Sequence, residues 1–373
     1  MSLDTGRCLR LRAVSDLRVL MITQKVDLDD DVLGFTHAWV NKLAEKVEQL
    51  YVLALAVGRH KLRENVTLYS MGKERGAGRL RRFVNFTRIV APLILRRQVD
   101  VVFIHMVPLY AILAAPWAKL ARVPMVMWYT HKSVTRTLKL AHWLVDRVVT
   151  ASPESFRLPS DKVVVTGHGI DTEVFRPTGE PRPERPFTVL SVGRISPIKD
   201  YETLIEAADI LVNKRGRRDL HFVVVGDAGT PEQVAYRERL LAEVQRRELA
   251  DYFEFVGAVP HWRVVTCYQQ ADLLINLCPT GGLDKVVLEA MACGVVPLTS
   301  NSAFRLVLGV LSPHLVLDEG DAYGLADRMD SLSRLSTSER KELGARLRAI
   351  VVQQHSVQSL VRRLVEEWKH VAQ

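Results

Sequence analysis

The sequence predicts an α/β protein built from two open, doubly wound sheets. Three observations lead there. Short β-branched runs alternate with segments of helical periodicity, the pattern of parallel strands joined by crossover helices. The runs are nearly continuous in apolar residues, as strands covered on both faces are. The alternation stops at a stretch rich in Pro, Gly and charge, 178–186, and then restarts, so that stretch reads as a linker. A chain of 373 residues is also more than one core usually serves.

In the first unit, strands are expected at 17–23, 50–56, 100–105, 125–130, 147–151 and 162–166, with helices such as 36–47 and 110–121 between them. In the second unit they fall at 187–192, 221–225, 253–256, 273–277, 295–299 and 315–317, and the C-terminal region is helical. The expected division is a first domain 1–177, the linker 178–186, a second domain 187–354, and a C-terminal helix 355–373 that packs back on the first domain. The most membrane-like window, 107–127, is interrupted by Pro108, Pro116, Lys119, Arg122 and Pro124. Two short buried elements explain it better than a spanning helix.

The N-terminal stretch is polar and lacks the apolar run of a signal peptide. The four cysteines, Cys8, Cys267, Cys278 and Cys293, have no CxxC spacing and no histidine cluster beside them. That argues against zinc and for a reduced, cytoplasmic setting, with the inner membrane surface as a peripheral location. A net charge of +9 favours anionic partners: nucleotides, phosphates, nucleic acid or acidic lipid.

Two passages carry chemistry. In Cys278-Pro279-Thr280-Gly281-Gly282-Leu283-Asp284-Lys285, a strand enters a glycine loop and a helix starts near Leu283. Glycines let backbone approach a ligand, and the amides and dipole of a helix start favour phosphate. Glu289, one turn beyond Lys285, is placed either to accept hydrogen bonds from a ribose diol or to stand exposed beyond a tight turn. In Val192-Gly193-Arg194 and Lys199-Asp200, two cations bracket a turn at a strand end. Arg194 offers bidentate donors and Lys199 a point charge, the pair a diphosphate leaving group needs. Solvated surface charge is the alternative for either one.

Together with Val224-Val225-Gly226-Asp227 and Phe255-Val256-Gly257-Ala258-Val259, these passages resemble the retaining GT-B glycosyltransferases of the family-4 type over nearly the whole chain. The resemblance implies a GT-B architecture, with two Rossmann-like domains facing a central cleft. It implies that Arg194 and Lys199 bind donor phosphates, Glu289 the ribose, and the backbone at Val259 the base. Leu33-Gly34-Phe35-Thr36 resembles the glycine loop facing the donor phosphate. Trp128-Tyr129-Thr130-His131 resembles the strand end with the active-site histidine, so His131 is the catalytic candidate; His37, His105 and His168 are weaker ones. Many members carry a glutamate eight residues before the ribose-binding one, and here that position is Gly281. The amides of Gly282, Leu283 and Asp284, with the Lys285 ammonium, are expected to replace it.

The implied activity is transfer of a sugar from a nucleotide-diphosphate-sugar to an unidentified acceptor with retention. No cofactor and no metal are expected, since cations and a helix dipole neutralise the leaving group and no Asp-x-Asp motif is evident. A GT-B-like epimerase or phosphorylase and a non-catalytic nucleotide-sugar-binding protein are the rivals. Nucleic acid is not expected as a partner, because no aromatic-rich binding motif accompanies the charge. The stretch 73–97 is strongly basic, with Leu80, Phe83, Val84, Thr87, Val90 and Ile94 at helical spacing and Pro92 as a kink point. A core-facing helix with a solvated basic face is the expectation. Contact with an anionic membrane is the alternative.

Overall fold

The computed structural model describes residues 15–30, 33–131, 133–178, 185–279 and 282–373. Cys8, Gly281, most of the linker 178–186 and the polar N-terminal stretch lie outside the described residues.

The first domain opens with β1 (Ser15–Val26), α1 (Phe35–Ala44), β2 (Val47–Val57) and β3 (Val66–Ser70). It continues with α2 (Arg79–Leu95), β4 (Val101–His105), α3 (Pro108–Ala121), β5 (Met125–Trp128), α4 (Arg136–Leu144), β6 (Arg147–Thr150) and β7 (Val163–Val165). The strands form one seven-stranded parallel sheet in the order β3-β2-β1-β4-β5-β6-β7. Strand β3, half-buried along its length at the sheet edge, was not foreseen in the sequence. The window 107–127 resolves into α3 and β5. Among the described residues, no helix is long and apolar enough to cross a membrane.

The second domain restarts the pattern with β8 (Phe187–Val192), α5 (Tyr201–Asp209), β9 (Leu220–Val225), α6 (Pro231–Arg246), β10 (Phe253–Gly257), α7 (His261–Gln270) and β11 (Leu273–Asn276). It proceeds through α8 (Lys285–Ala292), β12 (Val296–Thr299), the short α9 (Phe304–Leu308) and α10 (Ser312–Leu315), then α11 (Ala322–Ser333) and α12 (Thr337–Ile350). Its five-stranded parallel sheet has the order β10-β9-β8-β11-β12. The strand expected at 315–317 does not form. Leu315 ends α10, and Val316 makes only an isolated bridge to Thr299. The stretch is too short between helix and loop to build a ladder.

Each sheet is covered on both faces. In the first domain one core packs α2, α3 and α4 against the sheet, and another packs α1 against the opposite face. The final helix, α13 (Val357–Ala372), leaves the second domain and lays Val357, Leu360, Val361, Leu364 and Trp368 on that opposite face. Trp368 meets Phe103 of β4 with ring centres 5.1 Å apart. In both sheets the strand order reverses beside the first strand: between β1 and β4, and between β8 and β11. The carboxyl edge at such a reversal is where open α/β sheets bind ligands.

Candidate active site

The two carboxyl edges meet. A Cβ on Gly34, just after β1, would stand 3.3 Å from the Cβ of His261 at the start of α7. A Cβ on Gly282 would stand 3.7 Å from Ser155 Oγ, beyond β6. His168 Nε2 lies 3.1 Å from the Leu283 carbonyl oxygen. The loop before α8 is thus seated against the first domain.

In the second domain the strand ends converge on glycines. Gly226, at φ +142°, follows β9, and a Cβ there would lie 1.9 Å from the Gly193 carbonyl oxygen. Only glycine permits that approach, which draws the ends of β8 and β9 together and aims the turn 193–199 at α8. Arg194 is exposed and its side chain engages no partner among the described residues. Lys199 Nζ lies 3.2 Å from Asp284 Oδ2, and Asn276 Nδ2 donates to the same oxygen at 3.0 Å. Asp284 occupies the N-cap of α8, yet its carboxylate makes no capping bond. The helix starts at Lys285, two residues later than the sequence suggested, with no side chain of the described residues capping its first amides.

A buried polar net supports the loop. Thr299 Oγ1 donates to Asn276 Oδ1 at 3.2 Å, and Asn301 Nδ2 donates to the Gly282 carbonyl at 2.6 Å. Asn276, Thr299 and Asn301 were missed in the sequence. Their signal was present: polar side chains at the ends of otherwise apolar strands.

Glu289 is buried, 4% exposed, which removes the exposed-turn alternative. His261 Nε2 lies 3.1 Å from Oε1, and Tyr268 Oη donates to Oε2 at 2.9 Å. Burial alone raises a carboxyl pKa; the His261 hydrogen bond and charge, with Lys285 and Tyr268, outweigh it and hold Glu289 below its ordinary range. His261 and Tyr268 were not among the sequence candidates, although they stand seven residues apart on one face of α7. Val259 sits half-buried in the turn between β10 and α7, against the second core.

Two candidates fall elsewhere than expected. Lys285 does not stand over the helix start. Side chains lean toward a helix N-terminus, and this N-terminus abuts the first domain, so the four-carbon stem crosses the cleft. Its ammonium lies 2.8 Å from the centre of the Phe35 ring and 5.6 Å from that of Trp39. Burial pulls its pKa down to about 7. His131 is exposed, and its Nδ1 accepts the Ser133 amide at 3.1 Å, closing a turn after β5. It does not line the cavity of about 200 Å³ beside β1, β4 and β5; Thr130, His105, His168 and Lys285 do. His37 is engaged with Lys61, its Nε2 2.7 Å from the carbonyl oxygen.

Solved structures share this architecture. HepE of Anabaena, crystallised with UDP, superposes with a TM-score of 0.74 over 95% of this chain and 100% of that one, at 16% identity. Sucrose-phosphate synthase of Thermosynechococcus elongatus gives 0.72 over 95% and 99%, at 15% identity. The class is therefore the GT-B fold, two Rossmann-like domains facing a cleft. Residues 175–349, most of the second domain, match the family of glycosyl transferases group 1. A D-inositol 3-phosphate glycosyltransferase of Thermobispora bispora is 26% identical over 217 residues, 54% of this chain and 51% of the relative. A 2-deoxystreptamine N-acetyl-D-glucosaminyltransferase of Streptomyces fradiae is 28% identical over 187 residues, 47% and 43%. The chain spans about half the length of the curated relatives it matches.

Proposed function

We propose that the protein is a glycosyltransferase that moves a sugar from a nucleotide-diphosphate-sugar to an acceptor seated on the first domain, with retention of anomeric configuration. The observation that carries this reading is the uncapped start of α8. Asp284 turns its carboxylate to Lys199 and Asn276 and so caps no helix amide at the reversal between β8 and β11; the Val287 amide donates to the Asp284 carbonyl, while those of Lys285 and Val286 have no side-chain partner among the described residues. A diphosphate there meets amides and a positive dipole end, with Arg194 and Lys199 beside it. These groups stabilise the charge that grows on the leaving diphosphate as its bond to the anomeric carbon breaks. In this reading Glu289 anchors the ribose, the Val259 backbone faces the base, and Gly34 faces the phosphates from the other domain. Gly282, Leu283 and Asp284 contribute backbone amides, and His131 orients sugar or acceptor. Cations and helix together fill the role of a divalent metal, so the reaction is proposed to be metal-independent.

The acceptor is proposed to come from the membrane side. Only the C-terminal part of α2 reaches the core, through Phe86, Val90, Leu93 and Ile94. Its first turns carry Leu80, 77% exposed, with Phe83 and Val84 exposed beside it. Arg79 and Arg81 flank them with no acidic partner among the described residues. Strand β3 delivers α2 to the carboxyl edge, the edge that meets the second domain. An anionic lipid surface complements both the charge and the apolar side chains.

The test of the donor site is calorimetry with UDP, GDP, ADP and TDP. One of them binds, and Arg194→Ala lowers its affinity about 10–100-fold, the worth of a charge-assisted hydrogen bond of ~1.5–3 kcal/mol. Binding of none, or equal affinity in the variant, would sink the assignment.

A further inference from the structure

The small cavity where the first domain meets Lys285 holds two imidazole nitrogens and an ammonium that have no hydrogen-bond partner among the described residues. His168 is nine-tenths buried, and its Nε2 faces the Leu283 carbonyl, which can only accept. Nε2 therefore carries the proton. Burial, with the nearby Lys285 charge, lowers the pKa of His168 to about 3, so the ring is neutral. Its Nδ1 is then a bare acceptor, buried and unpaired. His105 is 2% exposed; Nδ1 pairs with Thr23 Oγ1 at 2.9 Å, and Nε2 is likewise buried and unpaired. Lys285 has no carboxylate within ion-pair distance among the described residues and faces the rings of Phe35 and Trp39. Phe35, Trp39 and Trp128 make the apolar wall.

Buried polar atoms without partners are rare in folded proteins, and each carries a desolvation cost. Two of them, His105 Nε2 and His168 Nδ1, directed into one cavity beside the Lys285 ammonium, specify a missing ligand. Lys285 calls for an anion, because an unpaired ammonium is the costliest of the three to bury. His168 Nδ1 calls for a hydroxyl donor. The aromatic wall calls for an apolar ring face. The space, about 200 Å³, is below the ~300–1,000 Å³ of drug-sized pockets, so it suits one ring and not a chain.

We propose that this cavity is the acceptor subsite and that it selects a single polyol or sugar ring bearing an anionic substituent, phosphate or carboxylate, which pairs with Lys285 while a ring hydroxyl donates to His168 Nδ1. The proposal rests on the glycosyltransferase reading. The anion is the acceptor's own and not the donor diphosphate, because Arg194 and Lys199 stand at the other domain's strand ends while the Lys285 ammonium projects into the first domain.

Calorimetry on the full chain, saturated with the nucleoside diphosphate it binds, tests this with glucose 6-phosphate, glucuronate and glucose. The wild type binds one or both anionic rings about tenfold or more tightly than glucose, a charge-assisted bond's worth; the two arms separate phosphate from carboxylate. Lys285→Met removes that preference, and nucleoside diphosphate affinity stays within about threefold. His168→Phe weakens neutral and anionic rings alike. Preference surviving in Lys285→Met, or no preference in the wild type, overturns the proposal. A loss of nucleoside diphosphate affinity in Lys285→Met as large as in Arg194→Ala overturns it too, by moving Lys285 to the donor. If the wild type binds no nucleoside diphosphate at all, the transferase reading fails with it.

Discussion

Lys285 and Lys199 show how differently two lysines serve one cleft. Lys199 has a carboxylate beside it, Asp284 at 3.2 Å, at a partly wet strand end. Lys285 has aromatic rings and two neutral imidazoles around it, and burial brings its pKa to about 7. Holding an ammonium there opposes folding, and such a cost persists only where it serves a ligand. Lys285→Met keeps the length of the side chain and adds a thioether against Phe35 and Trp39. It is expected to raise stability by on the order of 1–3 kcal/mol while kcat/KM falls by more than tenfold. Thermal melts and steady-state kinetics check this; a variant that is less stable or fully active contradicts it. Lys199→Ala should impair the donor site more than Arg194→Ala, because it also leaves the Asp284 carboxylate with Asn276 but without a cation where the diphosphate arrives. Nucleoside diphosphate affinities of the two variants, side by side, decide the order.

At the scale of elements, α2 is the segment whose apolar stripe outruns its core. The stripe was visible in the sequence, with its helical spacing, but which turns would be covered was not. Of Leu80, Phe83, Val84, Val90 and Ile94, only Val90 and Ile94 are buried. If the first turns meet lipid, the protein sediments with vesicles containing phosphatidylserine and is released by high salt, since exposed attraction is screened. Leu80→Asp with Phe83→Asp should abolish sedimentation and leave the melting temperature unchanged; sedimentation in the double variant contradicts membrane docking by α2. The strands were legible for a simple reason. Parallel strands covered on both faces are continuous apolar runs, and eleven of the twelve observed were foreseen; the exception, β3, is a half-buried edge strand that lacks that signature. The candidate site was legible only where chemistry follows the local chain, as at Arg194, Lys199 and Glu289. What Lys285 touches depends on how the domains face each other, and no spacing within the sequence encodes that. His105 and His168, 63 residues apart by number, meet at the cavity through the fold of the first domain, which is equally unreadable from local spacing.

The whole molecule carries several histidines neutral in its interior. Burial lowers His105 and His168 to about 3 and His355 to about 4, from an ordinary 6.5. Below pH 6.5 the unfolded chain binds protons that the folded chain refuses, so stability falls as pH drops from about 6.5 toward 4. Above 6.5 these groups are neutral in both states and contribute no slope. Glu289 adds loss in the same direction, since its carboxyl is held low in the fold. Melting temperatures should therefore be flat for these groups near pH 7 and drop steeply toward pH 4.5; a profile without that drop would show that the histidines are not buried neutral.

The most direct test of sugar transfer is to follow a panel of nucleotide sugars by NMR in the presence of EDTA, with the wild type and with Arg194→Ala. Wild-type protein is expected to consume one donor slowly by hydrolysis to nucleoside diphosphate and free sugar, the sugar first appearing in the donor's own anomeric configuration. Arg194→Ala is expected to leave that donor intact. Donors that all survive the wild type, turnover that stops in EDTA and returns with magnesium or manganese, or first-formed sugar of the opposite configuration would contradict a metal-independent, retaining glycosyltransferase.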